Sequence, residues 1–292
     1  MMKYAQAITA AFARSALALA LLLTFTVHMT TGCATISDDF TDATSSLFPP
    51  SPTEAAQMML DPHNPDARRE GTNWIGNAPF GGAPVYVSTY RDYVEHEEHE
   101  LVLVEAIRAL ARHGSPEDAP LIAKHLTHSN EQVRWQAARG LQRLHNPVVV
   151  NALLDRLRDE QEEPDVRIAA AVAVGQYAQD RVFQALVAAL LSRHLAINAA
   201  ARESLQTLTS QDFGFESRDW MAWYNQQGEP FAGRQDYLYP TYQRDYSWIE
   251  KLVLWSPKMQ EQPAPPAGLR PEAERSTYDE FEAPVDQQEQ GG

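Results

Sequence analysis

The sequence predicts an all-α fold: an α-solenoid of about five helical hairpins, closed by a C-terminal capping helix and flanked by disordered termini. Three observations carry this. A segment recurs along the chain at spacings of 31 to 35 residues. Each copy places apolar residues at i, i+4 and i+8, which draws one stripe along one face of a helix. A shorter apolar stretch precedes each copy, so the repeating unit is a pair of helices, and a lone pair cannot bury both of its apolar faces without a stacked neighbour.

The 292 residues are 44% hydrophobic, enough for a substantial core. The charge of −15, from 24 basic and 39 acidic residues, argues against nucleic acid as a partner, since phosphate binding rests on an excess of Lys and Arg. Residues 1–32 differ in kind from the rest. Lys3 and Arg14 give a positive start, Ser15 to Val27 reads "SALALALLLTFTV", and "TTGC" follows at Thr30 to Cys33. That apolar run is too short to span a bilayer, which takes roughly 20 residues. It resembles a bacterial lipoprotein signal, with Thr30 where the family usually has leucine. The resemblance implies that Cys33 is lipidated and becomes the first residue of the mature chain, and that Ala34 after it directs the protein to the outer membrane. Losing Lys3 and Arg14 with the signal takes the charge from −15 to −17. With one cysteine there is no internal disulfide, so packing alone supplies stability. Residues 33–52 are rich in Ser, Thr, Asp and Pro and read as a tether.

The repeats are expected over 53–210. "EQVRWQAARGLQRL" at 131–144 lies over "PDVRIAAAVAVGQY" at 164–177, pairing Val133 with Val166, Arg134 with Arg167, Ala137 with Ala170 and Leu141 with Val174. Val102, Ala106 and Leu110 hold the same places 31 residues earlier, and Ile197, Ala201 and Leu205 hold them 31 residues after Val166. Ala67, Gly71 and Ile75 make a weaker first copy. The preceding stretches are "TEAAQMML", "PVYVSTYRDYV", "PEDAPLIAKHL", "PVVVNALLDRL" and "DRVFQALVAALL". Pro65 and Pro164 suit helix starts, and Gly76, Gly114 and Gly175 fall near helix ends. Ala137, Ala170 and Ala201 are predicted to let rows of second helices approach closely.

These units resemble the HEAT-repeat family, in particular the HEAT-like repeats of the phycobilin lyases, whose second helix carries "D-VR--AA-ALG". The resemblance implies that Arg134 and Arg167 tie adjacent hairpins together; Val102-Leu103 and Ile197-Asn198 lack that arginine. Residues 211–257 form an aromatic cap segment: "LTSQDFGFESRDWMAWYNQQ" at 208–227 sets Trp220 and Trp223 on one face, resembling the closing helix of bacterial repeat proteins, and the tyrosine-rich 231–255 is expected to dock back on the stack. Residues 258–292, dominated by Pro, Gln, Glu and Gly, read as a disordered acidic tail.

Chemistry-bearing motifs are few. "EHEEHE" at 95–100 offers His96 and His99, but their spacing is not that of HExxH. Deoxyhypusine hydroxylase, also HEAT-like, holds iron with His-Glu pairs repeated in several units. Here His99-Glu100 is one such pair, while its equivalents are Asn64-Pro65, Asn130-Glu131, Glu163-Pro164 and His194-Leu195, too few ligands for that site. There is no nucleophile elbow, phosphate loop or CxxC. No cofactor, no metal and no catalytic residue are therefore expected.

The helical wheel supplies the candidate site. With Val133, Ala137 and Leu141 facing the core, Trp135, Gln136, Arg139 and Arg143 lie opposite, on the inner wall that second helices line in this class of solenoid. The preceding helix offers Val104, Glu105, Arg108 and Arg112 there, the following one Ile168 and Val172. Arg108, Arg112, Trp135, Arg139 and Arg143 are the predicted partner-binding residues, since Arg and Trp dominate binding hot spots; the competing expectation is that Glu105 and the acidic tail neutralise the arginines and the 231–255 segment covers Ile168 and Val172. The sequence thus reads as a non-enzymatic, lipid-anchored envelope lipoprotein, in the outer membrane and facing the periplasm, that scaffolds a protein or peptide partner on its concave face. Its rivals are a metal-dependent or lyase-like enzyme on a HEAT-like scaffold and a purely structural lipoprotein.

Overall fold

A computed structural model of the chain describes residues 50–240 and 262–269. The expected signal, Cys33 and most of the expected tether lie outside the described residues, as do residues 241–257 of the aromatic segment and most of the expected tail. The chain divides into two units after Thr53, and the second, which begins at Glu54, holds the helical stack apart from the start of its first helix.

Eleven α-helices are present among the described residues, and the only strand-like pairings there are isolated bridges. The first hairpin is α1 (Pro52–Met59) and α2 (Pro65–Asn77); the second is α3 (Pro84–His96) and α4 (Glu100–His113). The third pairs α5 (Ala119–Ala123) with α6 (Glu131–Gly140), the fourth α7 (Val150–Arg158) with α8 (Pro164–Val174), and the fifth α9 (Asp180–Ala189) with α10 (Leu195–Thr209). The cap is α11 (Ser217–Tyr224). The all-α solenoid of five hairpins is the one the periodicity predicts. Two first helices depart from a plain α-helix: Pro116–Asp118 and Lys124–Thr127 flank α5 as 3₁₀ turns, and Pro147–Val149 is a 3₁₀ turn ahead of α7. Pro116 and Pro147 lack an N–H that the start of a helix would leave unpaired in any case.

Second helices pack on second helices in an unbroken row, α2 on α4, α4 on α6, α6 on α8 and α8 on α10, while successive first helices touch far less. The second-helix row is therefore the tighter and inner side of the stack. Small residues set its spacing. Ala106, Ala137, Ala170 and Ala201 are wholly buried. A Cβ on Gly76 would lie 3.0 Å from the Ala109 Cβ, one on Gly140 3.2 Å from the Ala111 Cβ, and one on Gly175 2.8 Å from the Ser204 hydroxyl. Gly114 and Gly175, expected as helix-ending glycines, keep negative φ, so close approach and not left-handed backbone is what requires a glycine at Gly175.

Charged ties join the hairpins. Arg134 of the third hairpin bonds Glu162 of the fourth through Nε at 3.0 Å and its terminal nitrogen at 2.8 Å, and also donates to the His128 and Ser129 carbonyls. Arg156 adds a second guanidinium at 3.1 Å from the same carboxylate. Arg68 of the first hairpin bonds Glu97 of the second at 3.0 Å through two nitrogens, and Arg91 bonds Asp118 of the third at 2.6 and 2.9 Å. Arg167 departs from the expected tie: its Nε donates to the Leu157 carbonyl of its own hairpin, at 3.2 Å. The reason is local, for the next hairpin offers His194-Leu195 where an acid would have to stand.

The cap closes the last apolar face. Trp220 is fully buried, edge-on to Phe183 and to Phe213. Tyr224 stacks on Phe183 with ring centres 4.4 Å apart and donates its hydroxyl to Asp180. From the cap the chain turns back along the C-terminal ends of the second helices: Gln235 N–H donates to the Thr207 carbonyl at 2.7 Å, Tyr237 is buried, and the Tyr239 ring lies over Arg143. The docking expected of the aromatic segment is thus seen over 231–240. The tail expected to be disordered from 258 on is corrected over 262–269. That stretch pairs with the body, Ala267 N–H to the Arg143 carbonyl and His145 N–H to the Ala267 carbonyl, each at 2.8 Å.

This packing has two measurable consequences. An interior helical glycine changed to alanine ordinarily gains about 1 kcal/mol. At Gly71 the added Cβ would sit 2.2 Å from the Met59 backbone nitrogen and 2.6 Å from the Ala55 carbonyl oxygen, so α1 and α2 must separate. Overpacking of this kind costs about 1–3 kcal/mol, and Gly71→Ala is expected to lower the urea midpoint; an unchanged or raised midpoint contradicts the close approach. The second consequence concerns acid. Burial, the largest single influence, would raise the carboxyls of Glu97, Asp118 and Glu162, but hydrogen bonds from Arg68, Arg91 and Arg134, together with backbone N–H bonds and the nearby positive charge, outweigh it and hold all three below their ordinary values. Each native carboxylate binds fewer protons than its unfolded counterpart, so its contribution is complete above the ordinary value, 4.5 for the glutamates, and disappears as pH falls through the lowered one. Glu105, raised by burial, works in the opposite sense. Burial also holds the His125 imidazole below its ordinary value of 6.5, so thermal melts are expected to decline gently below about pH 6.5 and to fall steeply below about pH 5, with the steep fall blunted in Glu162→Gln.

Candidate functional site

The inner face of a second helix is ordered along its length by electrostatics. Acids favour the first turn, where unpaired N–H groups carry partial positive charge, and bases favour the last. Glu100 opens α4, Glu131 opens α6 and Asp165 opens α8; Arg112 closes α4 and Arg139 closes α6. Over α4 and α6 the inner wall is therefore acidic along one edge and basic along the other; α8 continues the acidic edge but has no base in its last turn. Between the two runs a line of half-buried apolar residues, Val104, Trp135 and Ile168, one from each of three successive helices, with Val172 beside it.

The five predicted contacts fare differently. Arg108 is exposed and bonds both oxygens of Glu105, at 3.0 and 2.9 Å. Arg112 is exposed and reaches the preceding hairpin, donating to Asn77 at 2.8 Å. Trp135 is half-buried, and the Arg139 guanidinium lies over its ring, 4.7 Å from the centre. These four share the inner wall. Arg143 leaves it: α6 ends at Gly140, and the Arg143 guanidinium lies under the Tyr239 ring at 4.4 Å. Gln136 departs from the wheel, which sets it opposite the core; it is buried. At the acidic edge a cleft of 290 Å³ opens between the starts of α6 and α8, lined by Glu131, Gln132, Trp135, Glu163, Pro164, Asp165 and Val166.

The "EHEEHE" turn lines a shallow depression of 500 Å³ with Arg68, Asp92 and Tyr93. Glu97 and His96 already have partners there, whereas the His99 Nδ1 is buried without one. Glu97 accepts from Arg68 and from the His99 backbone N–H at 2.9 Å, and the His96 Nδ1 lies 3.2 Å from an Asp92 carboxylate oxygen. Among the described residues no group of three or more His, Cys, Asp or Glu is arranged to hold a metal ion. No helix among them is long and apolar enough to cross a membrane.

Sequence reasoning passes over two features that the structure brings forward. Arg68 follows Ala67 as Arg134 follows Val133, so the first copy carries the family's arginine, and the register already shows it. The docked 262–269 stretch has no such signal, because eight residues rich in Pro and Ala show no helical or strand period.

Comparison with known proteins places residues 119–206, which span the third to fifth hairpins, among HEAT repeats. Solved structures with a similar fold include the complex of CpcE and CpcF of phycocyanin lyase from Nostoc sp. (18% identity, 56% of this chain and 67% of that one, TM-score 0.48). Human deoxyhypusine hydroxylase also matches (18% identity, 53% and 72%, TM-score 0.38), as does an engineered protein (19% identity, 53% and 77%, TM-score 0.41). No curated protein sequence matches the chain.

Proposed function

We propose that this protein is a non-enzymatic scaffold of the cell envelope, anchored by a lipid on Cys33 in the outer membrane, that holds a protein or peptide partner against the inner wall of its HEAT-repeat solenoid. One observation supports the binding surface above all: the apolar line Val104, Trp135, Ile168 crosses three hairpins on the inner side and stays only half-buried. A monomeric stack has no structural need to leave a tryptophan there, and Trp and Arg are the residues on which interfaces concentrate their energy. An extended segment laid across the second helices would meet acids on one flank and Arg108, Arg112 and Arg139 on the other. That arrangement fixes both the register and the direction of a partner that carries charge.

The best-formed polar groups of this surface are engaged in structural ties, Arg108 with Glu105 and Arg112 with Asn77.

Replacing Trp135 and Arg139 together by alanine is expected to reduce capture of the envelope partner by at least about 30-fold, the size of a loss of 2 kcal/mol at a hot spot. Crosslinking in intact cells followed by quantitative recovery measures it, with circular dichroism to confirm the helical stack. Full recovery from a folded variant removes this wall as the site. The anchor is tested separately. Cys33→Ser is expected to abolish labelling by a fatty-acid analogue and to move the protein from the membrane fraction to the soluble one; a variant that stays with membranes and keeps its label sinks the lipoprotein reading.

A further inference from the structure

Residues 262–269, "QPAPPAGL", are bound to the body as a ligand is bound. The stretch is extended and held by main chain at two points: Ala264 accepts from the Tyr239 N–H at 3.0 Å, and Ala267 exchanges two 2.8 Å bonds with Arg143 and His145. Tyr239 pairs with Ala264 as an antiparallel bridge, Leu144 with Ala267 as a parallel one. Side chains add specificity. Pro266 is buried, and Pro265 and Leu269 close a small cavity of 40 Å³ together with Tyr237, Gln176 and Leu208. Gly268 has φ +87°, and a Cβ there would lie 2.6 Å from the Pro116 ring and 3.1 Å from the His145 carbonyl oxygen, so only glycine fits.

We propose that the furrow between Pro116, Arg143, His145, Tyr237 and Tyr239 is a receptor site for a proline-rich peptide with a glycine at the left-handed position, filled at rest by the chain's own residues 262–269. Three of the eight residues are prolines whose φ is fixed in advance, so little conformational entropy opposes docking of such a segment. Main-chain bonds supply affinity and the pockets for alternate side chains supply selectivity, as when an extended peptide adds to an exposed edge. The site also acts on its surroundings. Ala264 holds the backbone of Tyr239, whose ring covers Arg143. A partner segment of the same chemistry that displaces residues 262–269 therefore takes over the bond to the Tyr239 N–H and keeps its ring over Arg143, and what it releases is the chain's own segment. This site is separate from the inner wall, and its test does not depend on what the wall binds.

The probe is a labelled synthetic peptide of residues 262–269, and the receptors are the full wild-type chain and the full chain carrying Gly268→Val. The substitution expels the chain's own segment and leaves the furrow unchanged. Covalent attachment presents a segment at an effective concentration of about 1 mM. If the free peptide binds the emptied furrow with a Kd of about 100 µM, the wild-type chain must bind it about ten-fold more weakly, because its own segment competes. A peptide carrying the Gly268→Val change is expected to bind neither chain. Amide exchange at His145 provides an independent readout: slow in the wild type, fast in the variant, and slow again when the native peptide is added. If the variant loses its helical signal, a full chain with residues 262–269 replaced by a Gly-Ser octapeptide takes its place. The proposal fails if the folded variant binds the peptide no better than the wild type, if the valine peptide binds as well as the native one, or if His145 exchanges fast in the wild-type chain.

Discussion

Each second helix in the middle of the stack has a second helix on either side, and the distance at which two of them pack depends on whether a Cβ fits between their backbones. At Gly76 and Gly140 it barely does, at Gly175 it does not, and at Ala106, Ala137, Ala170 and Ala201 a single methyl fills the space. Larger side chains at these places would force the row apart, and the first helices, which already touch little, would have no means of holding it. The rest of the molecule depends on this spacing. It makes the second-helix side the inner one, and it brings residues at equivalent places in successive hairpins into lines, so that an inner wall exists to carry a pattern at all.

The electrostatic ties make sense only on that spacing. Arg134 reaches Glu162, in the turn between α7 and α8, while still bonding two carbonyls of its own hairpin. A buried ion pair is costly to assemble, since both charges leave water, and it stabilises only when hydrogen bonds complete it. Glu162 meets that condition with Arg134, Arg156 and the Glu163 N–H. Arg167 shows the opposite solution. With no acid within reach in the fifth hairpin, it is buried against a carbonyl oxygen of its own, so the tie between the fourth and fifth hairpins falls to other groups, among them the Ser204 hydroxyl on the Ala171 carbonyl at 2.9 Å.

Much of this is legible in the residues. The spacing of Val102, Val133, Val166 and Ile197 reveals the hairpins because burial of a helical stripe demands that period, and the small residues at equivalent places announce the tight row. The wheel that places Trp135 and Arg139 opposite the core is correct because helix geometry fixes which side chains share a face. It fails at Arg143 and Gln136 for physical reasons that no wheel contains. Arg143 lies past the end of α6, where helical angles no longer apply, and Gln136 lies at the margin of the stripe, where the neighbouring helix decides what is covered. The docked 262–269 stretch is not legible at all. Its contacts are main-chain bonds and proline rings, and neither leaves a hydrophobic period in the sequence.

A repeat stack has three kinds of surface to dispose of: its ends, its loop edges and its inner wall. The last end is closed by Trp220 and Tyr224 against Phe183, an aromatic layer broad enough to cover the apolar face of the fifth hairpin. One loop edge, along the C-terminal ends of the second helices, is covered by 231–240 and by 262–269, which satisfy the carbonyls of Thr207 and Arg143 and the N–H of His145 with main-chain bonds. The chain thus uses two separate segments to cover the stack, both C-terminal to the cap. Neither buries the line of Val104, Trp135 and Ile168, whose side chains keep part of their surface open. Since burying an apolar side chain is worth about 1.5–3 kcal/mol, a chain with covering segments to hand would gain by laying one across that line. Among the described residues both covering segments lie along the helix ends, because main-chain bonds to Thr207, Arg143 and His145 hold them there.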